Sequence, residues 1–160
     1  MTLQEFNRAE TDLARLALLR CCGSKRWVEQ ILARRPFDDF EALLSTAEST
    51  WWALGPSDWL EAFSAHPKIG DKKLSDWSSQ EQDGVNSASN QVLERLATGN
   101  EEYERRFGWI FLVNATGKTA PEILDLLNAR LKNGKTQELH AAAGEQAKIT
   151  KLRLNKLLTV

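Results

Sequence analysis

The apolar residues of this 160-residue chain are spaced helically almost throughout, which leaves little room for any other kind of element. Leucine, isoleucine, valine and aromatic side chains recur every three or four residues, and no second strand pattern exists to pair with the one continuous apolar run. A chain of this length can bury a core without metals or disulfides. The sequence therefore predicts an all-α fold, a single-domain bundle of six to eight helices over residues 1–160.

Capping residues mark where these helices begin. Thr2 with Glu5 has the spacing of a capping box, and we expect the helix that it opens to continue to Gly23. Ser24 can cap a second helix, which Pro36 ends. The next two helices are predicted from Phe40 to Trp51 and from Pro56 to Phe63, and the last two are predicted to begin with the Thr119–Glu122 capping box and near Thr136.

The middle of the chain is harder to interpret. Ser78 and Glu81 again have capping-box spacing, and they predict a helix that runs through Val85 and Leu96 to a break at Gly99-Asn100. The same two residues could do nothing more than satisfy backbone donors at that helix start. The continuous run Trp-Ile-Phe-Leu-Val at 109–113 fits a buried strand or a buried helix, and the lack of a second strand favours a helix.

Composition narrows the functional classes. The formal net charge is -1, so no global attraction to nucleic acid or to an anionic membrane is expected, and a small molecule or a protein is the expected partner. The two cysteines, Cys21 and Cys22, are adjacent, which disfavours a disulfide framework and favours a reducing, cytoplasmic setting. We expect neither a signal peptide nor a membrane span from the N-terminal residues.

The sequence lacks the motifs that are typical of several reaction types. Two histidines and two adjacent cysteines provide no zinc-ligand spacing, so no metal is expected, and neither a glycine-rich phosphate loop nor a Gly-x-Ser-x-Gly elbow occurs. Any reaction is therefore predicted to need no cofactor. The six tryptophans are interpreted mostly as core or pocket-lining side chains.

One of the two histidines stands in a distinctive run. His66 lies in Ala-His-Pro-Lys-Ile-Gly-Asp at 65–71, where Pro67 favours extended geometry before it and Gly70 permits a sharp turn. A loop histidine can exchange a proton near neutral pH, and a nearby carboxylate such as Glu81 could orient it. Taken alone, such a histidine is more often a surface or capping residue.

The C-terminal helix carries a further polar pair. Gln146 and Arg153 are seven residues apart, so they share a helical face with Ile149 between them. An arginine on a partly apolar face can bind a carboxylate or a planar amide with two hydrogen bonds. The same pattern is also typical of an arginine that extends past the core to a surface acid.

The order of these motifs resembles one family along nearly the whole chain. The 65–71 run is followed by Ser-x-x-Glu-Gln at 78–82, Tyr-x-x-x-Phe-Gly-Trp-Ile-Phe at 103–111, Ala-Thr-Gly-Lys at 115–118, Arg-Leu-x-Asn at 130–133 and Glu-Gln-x-Lys-Ile-Thr-x-Leu-Arg-Leu at 145–154. The family is 2-oxo-4-hydroxy-4-carboxy-5-ureidoimidazoline (OHCU) decarboxylase. The resemblance implies an all-α fold, the third step of urate degradation, and the products (S)-allantoin and carbon dioxide. It also implies a homodimer in many members.

The resemblance assigns roles to individual positions. His66 matches the catalytic histidine, usually described as the proton donor, and Glu81 matches its catalytic partner. The matched substrate-binding positions are Pro67, Ser78, Glu81, Gln82, Arg153 and the main chain of Leu112, Val113, Asn114 and Ala115.

A reaction hypothesis follows for these residues. The substrate carries its own electron sink, an imine next to the carbon that loses carbon dioxide, and a proton must then arrive at carbon from one face. We expect Glu81 near a helix N-terminus, where the dipole favours its ionised form, which leaves His66 as the donor. Arg153, Gln82 and the main chain near Val113 would hold the ureido and ring amides.

Two other interpretations remain open from the sequence. One is a catalytically inactive helical interaction module with a residual pocket, in which His66, Glu81 and Arg153 need not converge. The other is a cofactor-free hydrolase that uses His66 as a general base.

Overall fold

The computed structural model of the protein describes residues 1–70, 76–86 and 88–159. These residues are helical with no strand, which confirms the all-α class. The described residues form ten helices, of which three have six residues or fewer. The number of longer helices is seven, and the sequence predicted six to eight helices. The helices are α1 (Leu3–Arg8), α2 (Thr11–Cys21), α3 (Lys25–Ala33), α4 (Phe40–Ala53), α5 (Pro56–Ser64), α6 (Asp76–Glu81), α7 (Asp83–Asn86), α8 (Asn90–Phe107), α9 (Ala120–Arg130) and α10 (Lys135–Leu157).

The chain divides into two compact units. Unit 1 comprises Met1–Ala62 with Ala147–Val160, and unit 2 comprises Phe63–Gln146. The core of unit 1 is apolar, and its fully buried side chains include Phe6, Leu18 and Trp27. Organisation as one domain over 1–160 stays a prediction.

Local capping defines the first helix, as predicted, but the helix is shorter than predicted. The Thr2 side chain accepts the Glu5 N–H while the Glu5 carboxylate accepts the Thr2 N–H. The prediction of one helix to Gly23 is wrong, because the backbone leaves helical geometry at Ala9. The Arg35 guanidinium donates to the carbonyls of Phe6 and Ala9, so it satisfies carbonyls that a continuing helix would have used.

Four of the six tryptophans are buried, which confirms their predicted role in packing. In unit 1 the Trp27 indole N–H donates to the Ala47 carbonyl at 3.0 Å, and the Trp59 indole N–H donates to the Trp51 carbonyl at 3.1 Å. Each ring therefore fills the core while its polar atom is satisfied. The exceptions are Trp52, with 41% of its surface exposed, and Trp77, which is half-buried.

The segment around Ser78 differs from its prediction. Ser78 and Glu81 lie inside and at the end of α6, so the proposed capping box at a helix start is wrong. The helix also does not continue to Leu96, because α7 ends at Asn86 and Ser89 caps a new helix by accepting the Val92 N–H. Asp71, the end of the histidine run, lies outside the described residues.

Gly99 and Asn100 do not break a helix. Helix α8 runs through both of them, so that prediction is wrong. A Cβ on Gly99 would lie 2.5 Å from a methyl carbon of Leu127. The glycine therefore permits close contact between α8 and α9, and packing rather than helix propensity explains its presence.

The apolar run 109–113 is neither a helix nor a strand. It follows Gly108, whose left-handed backbone (φ 89°) ends α8, so the helix favoured by the sequence is wrong. Phe111, Leu112 and Val113 are buried, and the Arg130 side chain, rather than a regular ladder, binds the Leu112 carbonyl. The apolar composition reflects this burial.

A closed polar cluster holds this run in place. Glu138, which is 0% exposed, accepts hydrogen bonds from Tyr103 at 2.6 Å, Arg130 at 2.6 Å and Asn133 at 2.9 Å. The Trp109 indole donates to the Tyr103 hydroxyl at 3.0 Å. We call these five residues the Glu138 cluster. Its buried carboxylate has both an ionic partner and neutral donors, which is how a buried charge is tolerated.

Candidate active site

His66 lies in a short loop between α5 and α6. The His66 loop, residues 65–70, turns at Gly70, whose φ of 84° is strained for any residue with a side chain. Two buried amide side chains hold its far end: Gln82 accepts the Gly70 N–H at 3.0 Å, and Asn100 donates to the Ile69 carbonyl at 3.2 Å. The predicted sharp turn at Gly70 is confirmed.

A third amide holds the histidine itself. His66 is half-buried, and its Nε2 lies 2.6 Å from Oε1 of Gln146 on α10. Gln146 is 0% exposed. An amide on a long helix is a fixed partner, so the imidazole is held in one orientation while part of its surface remains open. Such a ring can exchange a proton at a defined position.

The predicted substrate-binding run lies on α6 and just after it. Ser78 and Glu81 are buried in α6, and Gln82 is buried between α6 and α7. Through its bond to Gly70, Gln82 joins this run to the His66 loop. The expectation that Glu81 lies at a helix N-terminus is wrong, because Glu81 is the last residue of α6, so the dipole argument for its ionised form does not apply.

Gly84 brings the same run against a second segment of the candidate site. A Cβ at Gly84 would lie 2.2 Å from the Lys118 carbonyl oxygen, which no real side chain could tolerate. The backbone of α7 therefore contacts the backbone that follows the 112–115 segment directly. This contact fixes Gln82, two residues away, relative to that segment.

Side chains of this protein bind several main-chain groups of the 112–115 segment. Arg130 donates to the Leu112 carbonyl. Lys118 Nζ donates to the Asn114 carbonyl at 2.6 Å, and the Asn114 N–H donates to Glu145 at 3.3 Å. These groups hold the segment and are not available to a ligand.

Val113 differs from its neighbours. It is buried, yet among the described residues neither its N–H nor its C=O has a hydrogen-bond partner. Buried backbone groups without partners are rare in folded proteins. In an extended segment the N–H and C=O of one residue point to the same side, so together they can bind an amide.

Arg153 lies in unit 1, whereas the other predicted site residues lie in unit 2. It is half-buried on α10 and donates from Nη1 to the Arg20 carbonyl at 3.1 Å. It also lies near the two thiols of unit 1. Burial raises the pKa of Cys21 to about 12 and that of Cys22 to about 12, while the Arg153 charge opposes the shift in both. The convergence of Arg153 with His66 stays a prediction.

Comparisons with known proteins agree with the sequence motifs. The sequence profile described as OHCU decarboxylase matches residues 7–155. The chain belongs to the OHCU decarboxylase family. Among crystal structures, one of OHCU decarboxylase in the presence of (S)-allantoin is similar to this chain with a TM-score of 0.80 and 37% identity, over 93% of this chain and 98% of that chain.

Several curated relatives of this chain carry names from uric acid degradation. The uric acid degradation bifunctional protein TTL of Arabidopsis thaliana is 38% identical over 87% of this chain, and PucL of Bacillus subtilis is 30% identical over 99%. This chain spans 45% and 33% of those two proteins. The 2-oxo-4-hydroxy-4-carboxy-5-ureidoimidazoline decarboxylase of Haloferax volcanii is 27% identical over 96% of this chain and 94% of its own length. The first two of these names refer to uric acid degradation, and the third names the decarboxylase itself.

Sequence reasoning paired Gln146 with Arg153 rather than with His66, and it missed the supporting roles of Asn100 and Glu138. Gln146 has a detectable signal, because a glutamine interrupts the apolar face that Ala142 and Ile149 define on α10. Asn100 had been assigned to a helix break, which hid its contact with the loop. Glu138 had no signal at all, since an acidic residue in the first turn of a helix is ordinarily an exposed partner of the helix dipole.

The described residues lack two further features. No group of three or more His, Cys, Asp or Glu side chains in them could hold a metal ion. None of the helices within them is long and apolar enough to cross a bilayer.

Proposed function

We propose that this chain catalyses the decarboxylation of 2-oxo-4-hydroxy-4-carboxy-5-ureidoimidazoline to (S)-allantoin and carbon dioxide, the third step of urate degradation. The observation that carries the proposal is a half-buried histidine on a braced loop, with its Nε2 2.6 Å from a buried amide, in a member of this family. The substrate provides its own electron sink, so the protein has to bind, orient and protonate.

His66 is the proposed proton donor. Its ring is partly open to solvent and fixed in orientation, and both properties are needed to deliver a proton to one face of a planar intermediate. Glu81 is its proposed catalytic partner beside the reacting substituents. Ser78, Gln82 and Pro67 are proposed to line the substrate site, since Gln82 is bonded to the same loop.

Main-chain groups between Leu112 and Ala115 are proposed to bind the ring. The partners of the Leu112 and Asn114 carbonyls leave Val113 as the best candidate, because its N–H and C=O can pair with an amide N–H and C=O of the substrate. Arg153 is proposed to hold the ureido group, whose planar carbonyl suits a guanidinium.

The test generates the unstable substrate in the cuvette from urate with a urate oxidase and a hydroxyisourate hydrolase, and then adds this protein. We expect allantoin to appear well above the spontaneous rate. His66→Ala should lower turnover by about 10²–10⁴-fold, the usual contribution of a positioned acid or base. His140→Ala is the matched control, because His140 is exposed and its Nδ1 bonds the Thr136 carbonyl one turn away on the same helix.

Two results would count against these assignments. An unchanged spontaneous rate with the wild-type protein would reject the activity and would favour an inactive interaction module. Normal turnover in His66→Ala would retain the activity and reject the donor.

We also propose that the chain forms a homodimer, as the family resemblance implies. On α2, Leu13 and Leu16 lie one helical turn apart and are 61% and 62% exposed, an unusual pair for a protein surface. Light scattering after size exclusion should give twice the chain mass. The double change Leu13→Glu with Leu16→Glu should yield monomers, while Leu60→Glu on α5 should not. A wild-type monomer at all concentrations would contradict the proposal.

A cytoplasmic location is proposed on the basis of the thiols. Cys21 and Cys22 are both free and buried, as expected for a protein from a reducing compartment. Fractionation of the source cells, followed by immunoblotting, would test this location. Recovery in the membrane or secreted fraction would overturn it.

A further inference from the structure

The contact between His66 and Gln146 defines which nitrogen of the ring carries a hydrogen. Nε2 and Oε1 are 2.6 Å apart, which is a short hydrogen bond. An amide oxygen only accepts hydrogen bonds, so the ring nitrogen facing it must be the donor. In a neutral imidazole one nitrogen donates and the other carries the lone pair.

We propose that Gln146 is a positioning residue that holds neutral His66 as its Nε2–H tautomer, so that Nδ1 is the atom at which the ring takes up and delivers its proton. The inference rests on the proposed decarboxylase function and adds the reacting atom to it. Gln146 acts through His66 and is not itself required to touch the substrate.

The surroundings of Gln146 suit this task. It is fully buried on α10, a helix of 23 residues, and its neighbours Ala142 and Ala143 are buried as well. Because Gln146 is closely packed, its amide group is held in one position. The loop that carries His66 is itself braced by Gln82 and Asn100, so both sides of the hydrogen bond are fixed.

The proton balance of the reaction agrees with transfer at Nδ1. When the bond from C4 to the carboxylate breaks, carbon dioxide leaves and the electron pair moves into the ring, where the former imine nitrogen takes a proton from solvent. The C4 hydroxyl then loses its proton to solvent to form the carbonyl, while C5 gains a proton from Nδ1–H of the imidazolium. That N–H electron pair stays on Nδ1, and Nε2–H remains bonded to Gln146.

The ring then returns to its starting state with a proton from solvent. Nε2–H never leaves its partner during the cycle, so the orientation of the imidazole is kept in both protonation states. A catalytic histidine loses much of its activity when its orienting partner is removed, because the wrong tautomer becomes populated.

Nitrogen NMR tests the tautomer without any assay of activity. Long-range proton–nitrogen correlation spectra of the ¹⁵N-labelled protein, recorded where the rings are neutral, distinguish a protonated from an unprotonated ring nitrogen. His140→Gln leaves His66 as the single histidine and assigns its signals. We expect a protonated Nε2, an unprotonated Nδ1 and an observable Hε2 resonance that is protected from exchange with water.

Two variants measure the role of the amide. Gln146→Leu is close in size but cannot accept, so Hε2 should lose its protection and kcat should fall by about 10–100-fold with a smaller change in KM. Gln137→Leu, an exposed position on the same helix, should leave the spectrum and the kinetics unchanged.

The outcomes separate this inference from the function on which it rests. An Nδ1–H tautomer of His66 in an active enzyme would overturn the inference alone, as would a protected Hε2 that survives in folded Gln146→Leu. A protein with the predicted tautomer but no decarboxylation would overturn the proposed function instead.

Discussion

Two polar groups of unit 2 project from the same helix and are used in opposite ways. Glu138 and Gln146 both lie on α10 and both are fully buried. Glu138 is surrounded by donors from α8, α9 and the segment after α9, and it holds the fold together. Gln146 instead holds His66, a side chain that remains partly open to solvent. One helix thus supplies a closed structural contact and an open contact within the candidate site, and solvent access to the partner distinguishes them.

The largest expected effect on stability comes from removing the carboxylate of the Glu138 cluster. Glu138→Ala leaves the buried Arg130 guanidinium without its carboxylate, and we expect a loss of about 3–5 kcal/mol in the free energy of unfolding. Glu101→Ala, an exposed change on α8, should cost about 0.5 kcal/mol or less. Urea unfolding measures both. A loss for Glu138→Ala as small as that of the control would show that the cluster is not structural.

At the contact between His66 and Gln146 we expect the reverse pattern, a small loss of stability with a large loss of turnover. His66→Ala removes one hydrogen bond at a half-buried site, so it should cost only about 0.5–1.5 kcal/mol of stability while it abolishes most of the turnover. Severe unfolding of His66→Ala would erase the distinction between the two contacts.

Gly84 offers a sharper test of how the open site is assembled. Gly84→Ala places a Cβ against the Lys118 carbonyl, and we expect it to cost about 1–3 kcal/mol and to lower turnover by displacing Gln82. Gly144→Ala is the matched control, because nothing lies within 4 Å of its added Cβ inside α10. There the loss of backbone freedom should stabilise the protein by about 0.5–1 kcal/mol. Equal effects of the two substitutions would refute the close contact.

The smallest effect is a difference in pH dependence within the Glu138 cluster. Burial, together with the hydrogen bond to Glu138, raises the pKa of Tyr103 above its usual value near 10. Above about pH 10 the unfolded chain therefore loses this proton before the folded chain does, so the stability that Tyr103 contributes falls as pH rises. The free energy of unfolding of wild type should decline more steeply than that of Tyr103→Phe. Parallel curves from pH 8 to 12 would contradict the shift.

The parts of the fold that depend on neighbouring residues were predictable from sequence. The capping boxes at Thr2 and Thr119 formed as expected, because both partners lie within one turn of each other. The long last helix and the turn at Gly70 are local for the same reason.

The parts of the fold that depend on distant residues were not predictable from sequence. Gly99 has the pattern of a helix break until Leu127 packs against it, and the run 109–113 has the composition of a helix until Arg130 binds its Leu112 carbonyl. The candidate site shows the same division. His66 and Gln82 stand out by motif, whereas the amide that orients His66 comes from a helix eighty residues further along the chain.

The handedness of the product shows whether His66 delivers a proton to one face of the intermediate. The substrate also decays on its own to racemic allantoin, so only a proton delivered to one face yields a single enantiomer. We would generate the substrate from urate in the presence of this protein and follow the circular dichroism of the allantoin that forms. We expect rapid formation of (S)-allantoin with wild type and with His140→Ala, and loss of the optical signal with His66→Ala. Racemic product at the spontaneous rate with wild type, or undiminished (S)-allantoin with His66→Ala, would contradict this expectation.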